Sequence, residues 1–186
     1  MRVDFVDLIL TKMKIIENIR QHLKEKKEKN ILAINYSKGL KLIEQGREFC
    51  INKKDNEALE CFNTAIELGV RTYYPYSMRA SCLCSLGRYL ESIVNYDTAI
   101  SLSPNLAQEY HGRSIAKSFI KDHEGCISDL KEAIRLSKED NENNRWWNNY
   151  SKNTRGVNTA TEIYEEELAE KIRRIEIDKK IEEMKS

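Results

Sequence analysis

The residues that most often carry catalysis or bind metals are few in this chain, and their spacing does not form a site. Its three histidines, His22, His111 and His123, stand at none of the spacings that metal ligands use. Five cysteines at irregular spacing do not form a disulfide framework, and Cys82 with Cys84 is not a CxxC pair. No Gly-rich phosphate loop, GxSxG or HExxH motif is present. We therefore predict a protein that is not an enzyme and needs no metal and no cofactor.

The composition is typical of a soluble helical protein. Of 186 residues, 40% are hydrophobic and 33% charged, and only 7 Gly and 2 Pro are available for the many turns of a sandwich or barrel. A net charge of +1 and the lack of interleaved basic and aromatic residues argue against nucleic-acid binding. No apolar run approaches the roughly 20 residues of a membrane span. We expect a soluble, cytoplasmic protein.

Three segments of the chain match one another when the sequence is shifted by 34 residues. The matching columns share apolar character and lie at helical spacing. They are Ala65, Ala99 and Ala133; Ile66, Ile100 and Ile134; and Leu68, Leu102 and Leu136. Upstream of each alanine stand a large residue (Phe62, Tyr96, Leu130) and then a small one (Ala58, Ser92, Cys126). A second helical pattern precedes these columns in each unit, with Gly46, Ala80 and Ser114 as its small column.

Each unit is therefore predicted to form two antiparallel helices that approach closely at their small residues. A leucine in place of Ala58, Ser92 or Cys126 would wedge the two helices apart. A single hairpin of this kind cannot bury its apolar face, so the units must stack on one another. Pro104 suits the corner between two units, because a helix must stop there.

The period, the paired helices and these columns resemble the tetratricopeptide repeat (TPR) family. The units run over residues 39–72, 73–106 and 107–140, and the second matches most fully because Gly87, Tyr89 and Pro104 are all in place. The third departs at Lys117, where an apolar residue is usual. The resemblance implies an all-α fold, a helix–turn–helix solenoid, to which this chain adds an N-terminal and a C-terminal helix.

The N-terminal part, residues 1–34, is predicted to be a separate amphipathic helix before the three units at 35–140. Residues 3–29 form one helical pattern that ends in the charged stretch KEKKEKN. Its apolar stripe consists of Val6, Ile9, Leu10, Met13, Ile16, Ile19 and Leu23. We expect this stripe to cover the edge of the first unit; the alternative is that it pairs with a second copy of the chain.

Two segments follow the third unit. Residues 141–158 read as an Asn-rich linker, in which Trp146 and Trp147 either seal the open end of the third unit or belong to a binding surface. Residues 159–186 read as a charged helix, begun by Thr159 and Glu162 at capping-box spacing. Its first half could serve as the solvating helix with which TPR arrays often end.

The resemblance also implies a binding site, because the first helix of each TPR unit lines a concave groove that receives a peptide or a helix. By register, the groove residues here are Leu40, Ile43, Arg47, Tyr74, Met78, His111 and Ile115. The carboxylate clamp of chaperone-binding TPRs would require Lys, Asn and Arg at positions that hold Ile43, Arg47, Met78, Gln108 and Gly112, and none matches. We predict a scaffold or adaptor that binds another protein or peptide. The second alternative is a structural protein that self-associates through its terminal helices, for example as a homodimer. The third is a chaperone-tail adaptor.

Overall fold

The computed structural model describes residues 5–139 and 159–184 and the single position 149; of residues 5–11 it describes the main chain alone. Seven α-helices occupy these ranges, and no strand occurs within them. In chain order they are α1 (Phe5–Ile51), α2 (Asp55–Glu67), α3 (Tyr73–Ser85), α4 (Tyr89–Leu102), α5 (Ala107–Phe119), α6 (His123–Ser137) and α7 (Ala160–Glu183). None of the helices in the described ranges is long and apolar enough to cross a bilayer.

The helices pack in chain order, which confirms the predicted stack of hairpins. α1 with α2, α3 with α4, and α5 with α6 form the three hairpins, and α2–α3, α4–α5 and α6–α7 contacts join them. The predicted small residues lie at the helix contacts: Ala58 and Ser92 have no exposed surface, and Cys126 is 2% exposed. The alanine column, Ala65, Ala99 and Ala133, is fully buried. The repeated residues therefore form one continuous interior.

The corner inside each unit repeats one backbone conformation. Lys53, Gly87 and Lys121, which are 34 residues apart, have φ values of +56°, +75° and +63°. In each unit the next N–H donates to the carbonyl five residues before it, from Lys54 to Phe49, from Arg88 to Leu83 and from Asp122 to Lys117. This bond closes the first helix of the unit. Glycine fits the left-handed conformation without strain, whereas each lysine costs roughly 1 kcal/mol.

An arginine in each of the second and third units joins two successive outer helices. Arg79 donates from Nε to Asn95 Oδ1 at 2.6 Å and from Nη1 to Asn63 Oδ1 at 2.9 Å. One repeat later, Arg113 makes the corresponding bonds to Asp129 at 2.7 and 2.9 Å and to Asp97 at 2.6 Å. The same bridge is thus made with amides in one unit and carboxylates in the next.

The bridge made by Arg113 explains why a lysine is tolerated at position 117, where an apolar residue is usual. Its Nζ lies 2.9 Å from Oδ2 of Asp129, a side chain that is only 5% exposed. Arg113 neutralises the same carboxylate from the other side. A buried carboxylate is tolerated when it is paired and hydrogen-bonded, so the lysine takes the place of an apolar residue without leaving a charge uncompensated.

The predicted end of the N-terminal helix near residue 29 is wrong. α1 continues unbroken to Ile51, and its last turns, from Gly39 onward, are the first helix of the first unit. The stretch KEKKEKN extends the helix because Lys and Glu are strong helix formers and neither Gly nor Pro occurs before Gly39. No helix end marks the boundary predicted at residue 34.

The prediction that this helix covers the edge of the first unit is also wrong. Met13, Ile16, Ile19 and Leu23 are 60%, 49%, 54% and 59% exposed. The side chains of Val6, Ile9 and Leu10 lie outside the described residues. Because α1 is one continuous helix that packs on α2 only through its last part, its N-terminal part projects beyond the array and cannot turn back.

The C-terminal helix packs against the third unit. Thr159 and Glu162 form the predicted capping box, with the Thr159 N–H 2.7 Å from Glu162 Oε2. Ala160 and Tyr164 are buried against α5 and α6, and Thr161 Oγ1 lies 2.9 Å from Ser137 Oγ. These contacts hold the beginning of α7 on the end of α6. Trp146 and Trp147 of the predicted linker lie outside the described residues.

Candidate functional site: the concave face

The array curves so that its odd-numbered helices line the inner side. α1 contacts α3 and α3 contacts α5, although neither pair is consecutive, whereas the even-numbered helices make no comparable contacts with one another in the described ranges. A stack in which one set of helices is closer together than the other must be concave on the closer side. The residues of α1, α3 and α5 that face away from α2, α4 and α6 therefore form the floor of a groove.

The first part of the groove lies between α1 and α3. Tyr74 and Met78 are half-buried and pack on the core cluster that contains Ile43, which is only 8% exposed and offers little surface to a ligand. Arg47 is exposed and forms an ion pair with Glu44. Burial raises the pKa of Tyr74, and the positive charge of Arg47 opposes this.

Leu40 lies one turn before Ile43 on α1 and is 46% exposed. Together with Tyr74 and Met78 it supplies apolar surface beside the charged pair. This end of the groove can therefore contact both an apolar and a charged side chain of a bound segment.

A buried polar cluster lies between α3 and α5. Glu109 is 1% exposed, and its Oε1 accepts a 2.9 Å hydrogen bond from Ser77 Oγ. Within the described residues, Oε2 has no hydrogen-bond partner. Burial raises the pKa of Glu109 to about 7, and the bond from Ser77 partly opposes this. The carboxyl is thus poised to change its charge near neutral pH.

Tyr96 fills the space beside this carboxyl. A Cβ placed on Gly112 would lie 2.4 Å from Tyr96 Cζ, so the tyrosine ring fits against α5 only because residue 112 has no side chain. Burial and the nearby Glu109 both raise the pKa of Tyr96, while a hydrogen bond with Ser81 lowers it. The α3–α5 part of the inner face is therefore closed by its own side chains.

The third part of the inner face, between α5 and α7, is an open groove with a cavity of about 480 Å³. Its apolar lining includes Ile115, the 59% exposed ring of Phe119, and Leu130 at the floor. Charged residues of α7 form one side: Glu166, Glu167, Glu170, Lys171 and Arg174. Arg174 donates to Glu170 at 2.7 Å.

His111 is covered by side chains of α7. Its Nε2 lies 2.8 Å from Glu167 Oε2, and its ring centroid is 4.4 Å from that of Tyr164. Only 13% of its side chain is exposed. His111 therefore helps to position the C-terminal helix at the end of the groove.

Solved structures share this architecture. The chain is similar to PcrH in complex with the chaperone binding region of PopD (TM-score 0.61, 15% identity, 72% of this chain and 90% of that one). It is also similar to the Sgt2 TPR domain from Aspergillus fumigatus (0.60, 14%, 76% and 82%) and to the TPR2B domain of yeast Sti1 in its pHsp70 complex (0.60, 18%, 74% and 98%). The chain folds as a tetratricopeptide-repeat array.

Two sequence relatives match part of this chain over a small part of their own length. Protein FlbA of Caulobacter vibrioides is 26% identical over 82 residues, 44% of this chain and 14% of FlbA. The 58 kDa phosphoprotein of Plasmodium berghei is 30% identical over 101 residues, 54% of this chain and 24% of that protein. The chain thus spans less than a quarter of the length of either relative. No family model matches the chain.

The positions that correspond to the carboxylate clamp have other uses in this TPR array. Ile43 lies in the core, Met78 packs on it, and Gly112 accommodates Tyr96. Arg47 is an exposed cation, but Glu44 is its ion-pair partner. The groove is therefore not arranged around a cluster of free cations. In the described ranges, no group of three or more His, Cys, Asp and Glu side chains could hold a metal ion.

The contribution of α7 and the burial of Glu109 were not among the predictions from the register. Phe119 lies at the end of α5, and Lys171 and Arg174 lie on a helix outside the 34-residue period. A signal for α7 was present, because the capping box at Thr159 fixed where the helix begins.

Proposed function

We propose that this TPR array is a non-enzymatic interaction module, a scaffold or adaptor, that binds a peptide or a helix of another protein in its concave groove. The observation that carries the proposal is the apolar surface left accessible on the inner face, at Leu40, Met78, Ile115 and Phe119. Half-buried apolar side chains in a groove are typical anchors for a partner segment.

Structural neighbours support this use of the face. Both TPR domains of Spaghetti (RPAP3) are described as bound to the HSP90 peptide SRMEEVD, and PcrH to the chaperone binding region of PopD. The groove of this chain differs in chemistry, since Arg47 is paired with Glu44 and Arg174 is paired with Glu170. We therefore propose a partner segment with apolar anchors rather than an acidic chaperone tail.

The compartment is part of the same proposal. All five cysteines carry free thiols. Free thiols are the rule in reducing compartments, which supports a cytoplasmic location.

The test begins with peptides selected on the intact chain from a random library of displayed peptides, with affinities then measured by fluorescence anisotropy. Tyr74→Ala with Met78→Ala is expected to weaken binding at least about 30-fold, since a hot spot contributes about 2 kcal/mol or more. Leu90→Ala with Val94→Ala is the matched control, because these residues of α4 are 68% and 62% exposed and away from the inner face. Unchanged affinity in the groove variant would refute the assignment.

Two further measurements and one further variant complete this test. Far-UV circular dichroism must show intact helix content in the double variant, because Tyr74 and Met78 also pack on the core. Arg47→Glu changes an exposed residue of the same surface and avoids this difficulty. Titration with the peptide SRMEEVD addresses the chaperone-tail alternative; micromolar binding would contradict our choice of an apolar partner.

A further inference from the structure

We propose that the projecting part of α1, residues 12–34, docks into the groove between α5 and α7 of a second copy of the chain. We call residues 12–34 the overhang. The inference rests on the proposed function in that it uses the same concave face, and it names one occupant for it: another copy of this chain.

The overhang has an unpartnered apolar face. All of its side chains are exposed, and they extend over 23 residues, about 35 Å of helix. At 100° per residue, six apolar residues share a face about 120° wide, which is interrupted by Lys12, Arg20, Lys27 and Asn30. They are Met13, Ile16, Ile19, Leu23, Ile31 and Ile34, each between 46% and 67% exposed. Such a row of exposed apolar side chains is unfavourable in water unless another surface packs against it.

The overhang cannot reach the α5–α7 groove of its own chain. α7 runs parallel to α5, since Tyr164 lies beside His111 near the start of α5, and Arg174 lines the groove with Phe119 at its end. α1, α3 and α5 also share one direction, because each is followed by an antiparallel partner. The overhang leaves from the N-terminal end of α1, two units away from the groove, and the unbroken helix holds it outward.

The groove and the overhang match in size and apolar character. α5 is 13 residues long, about 20 Å, and its groove surface is apolar at Ile115 and Phe119 above Leu130. The denser half of the stripe, from Met13 to Leu23, spans about 15 Å. An amphipathic helix laid in such a groove buries its apolar face between two helices.

The charges of the two surfaces are opposite. The overhang has seven Lys and Arg residues against three Glu, a net charge of +4. α7 has nine Asp and Glu residues against five Lys and Arg, a net charge of −4. Opposite net charges favour encounter between copies and the docking of the overhang beside α7. Two overhangs placed side by side would instead repel each other, because both are positively charged. Reciprocal docking fills both grooves and yields a closed dimer.

The experiment compares the mass of three full-length proteins by sedimentation equilibrium. The unchanged chain is expected to be a dimer that weakens as salt is raised. Ile16→Lys with Leu23→Lys is expected to raise the dissociation constant at least about 30-fold. Gln21→Lys with Leu32→Lys adds the same charge on the opposite face and is expected not to raise the dissociation constant, since the added charge itself favours docking beside α7. A monomeric unchanged chain, or equal weakening by both variants, overturns the proposal.

A crosslink locates the docking site. A benzoylphenylalanine photo-crosslinker at position 16, in an equimolar mixture of ¹⁵N-labelled and unlabelled chains, is expected to give mixed-isotope crosslinks to α5 and α7. Mixed crosslinks between two overhangs would show side-by-side pairing of α1 and would also overturn the proposal. If the chain is monomeric while the Tyr74 and Met78 variant still loses its selected peptides, the inference fails and the proposed function stands.

Discussion

Glu109 is expected to make the stability of this protein depend on pH in the direction opposite to that of an ordinary surface carboxylate. Its pKa is raised by burial from 4.5 to about 7, so the folded state holds the proton more tightly than the unfolded state. The contribution of Glu109 to the free energy of unfolding is most favourable below pH 4.5, where the carboxyl is protonated. This contribution falls as the pH rises to about 7 and changes little at higher pH.

The magnitude follows from the same two pKa values. One pKa unit is equivalent to about 1.4 kcal/mol, so ionised Glu109 costs the folded state about 3 kcal/mol at a pH above both values. About 2.5 kcal/mol of this appears between pH 5 and 8.5. Glu109→Gln keeps an acceptor for Ser77 and removes the ionisation. Its stability relative to the unchanged protein should therefore rise across that range.

The assay is urea unfolding followed by circular dichroism at several pH values, with the difference between variant and unchanged protein plotted against pH. The difference removes the contribution of every other titrating group that is common to both proteins. Glu91→Gln is the matched control, since Glu91 occupies the corresponding third position of α4 but is exposed, and its hydrogen bond from Arg88 lowers its pKa. The Glu91 difference should be nearly flat between pH 5 and 8.5 and should slope the other way only as the pH falls below about 4.5, because Glu91 is ionised in both states above that. A flat Glu109 difference would refute the reasoning.

Three other changes test the packing of the array. Lys121→Gly relieves a positive φ of +63° and should stabilise the fold by up to about 1 kcal/mol in urea unfolding. Gly112→Ala should destabilise by about 1–3 kcal/mol, although alanine favours helix, because its Cβ meets the Tyr96 ring; a stabilised variant would contradict this. Oxidation with diamide should form a disulfide between Cys50 and Cys82, whose Sγ atoms are 3.3 Å apart. Mass spectrometry should then find two fewer free thiols, and the disulfide should stabilise the fold by about 3–4 kcal/mol. Persistence of both thiols after treatment would show that the pair cannot approach to bonding distance.

The interior of the units could be predicted because one physical requirement recurs at a fixed interval. Every outer helix must approach its partner at a small residue, and the chain supplies one at Ala58, Ser92 and Cys126, all buried as expected. The end of the N-terminal helix could not be found in this way. The stretch KEKKEKN lacks apolar periodicity, and only its high helix propensity and the absence of a breaker carry α1 through it.

The surroundings of the predicted inner positions were not accessible to the same argument. The TPR resemblance predicts Tyr74 and Met78 on the inner face, whereas the cover over His111 depends on α7, which lies outside the period. The arginine bridges were a missed signal. Arg79 and Arg113 lie one period apart, and so do the residues that accept their hydrogen bonds: Asn63 and Asp97, and Asn95 and Asp129.

The open groove at the end of the array has a cause in the repeat itself. Between α3 and α5 the inner face is closed because Tyr96 reaches α5 at Gly112. One period later the corresponding residue is Leu130, which has no ring to extend across the next gap and instead lies at the floor of the α5–α7 groove. The change from Tyr96 to Leu130 thus coincides with the apolar cleft between α5 and α7. In the described part of the chain, an accessible cleft at one end and an exposed apolar helix at the other are two surfaces that the stacking of units leaves unsatisfied, and the proposed pairing between copies would satisfy both.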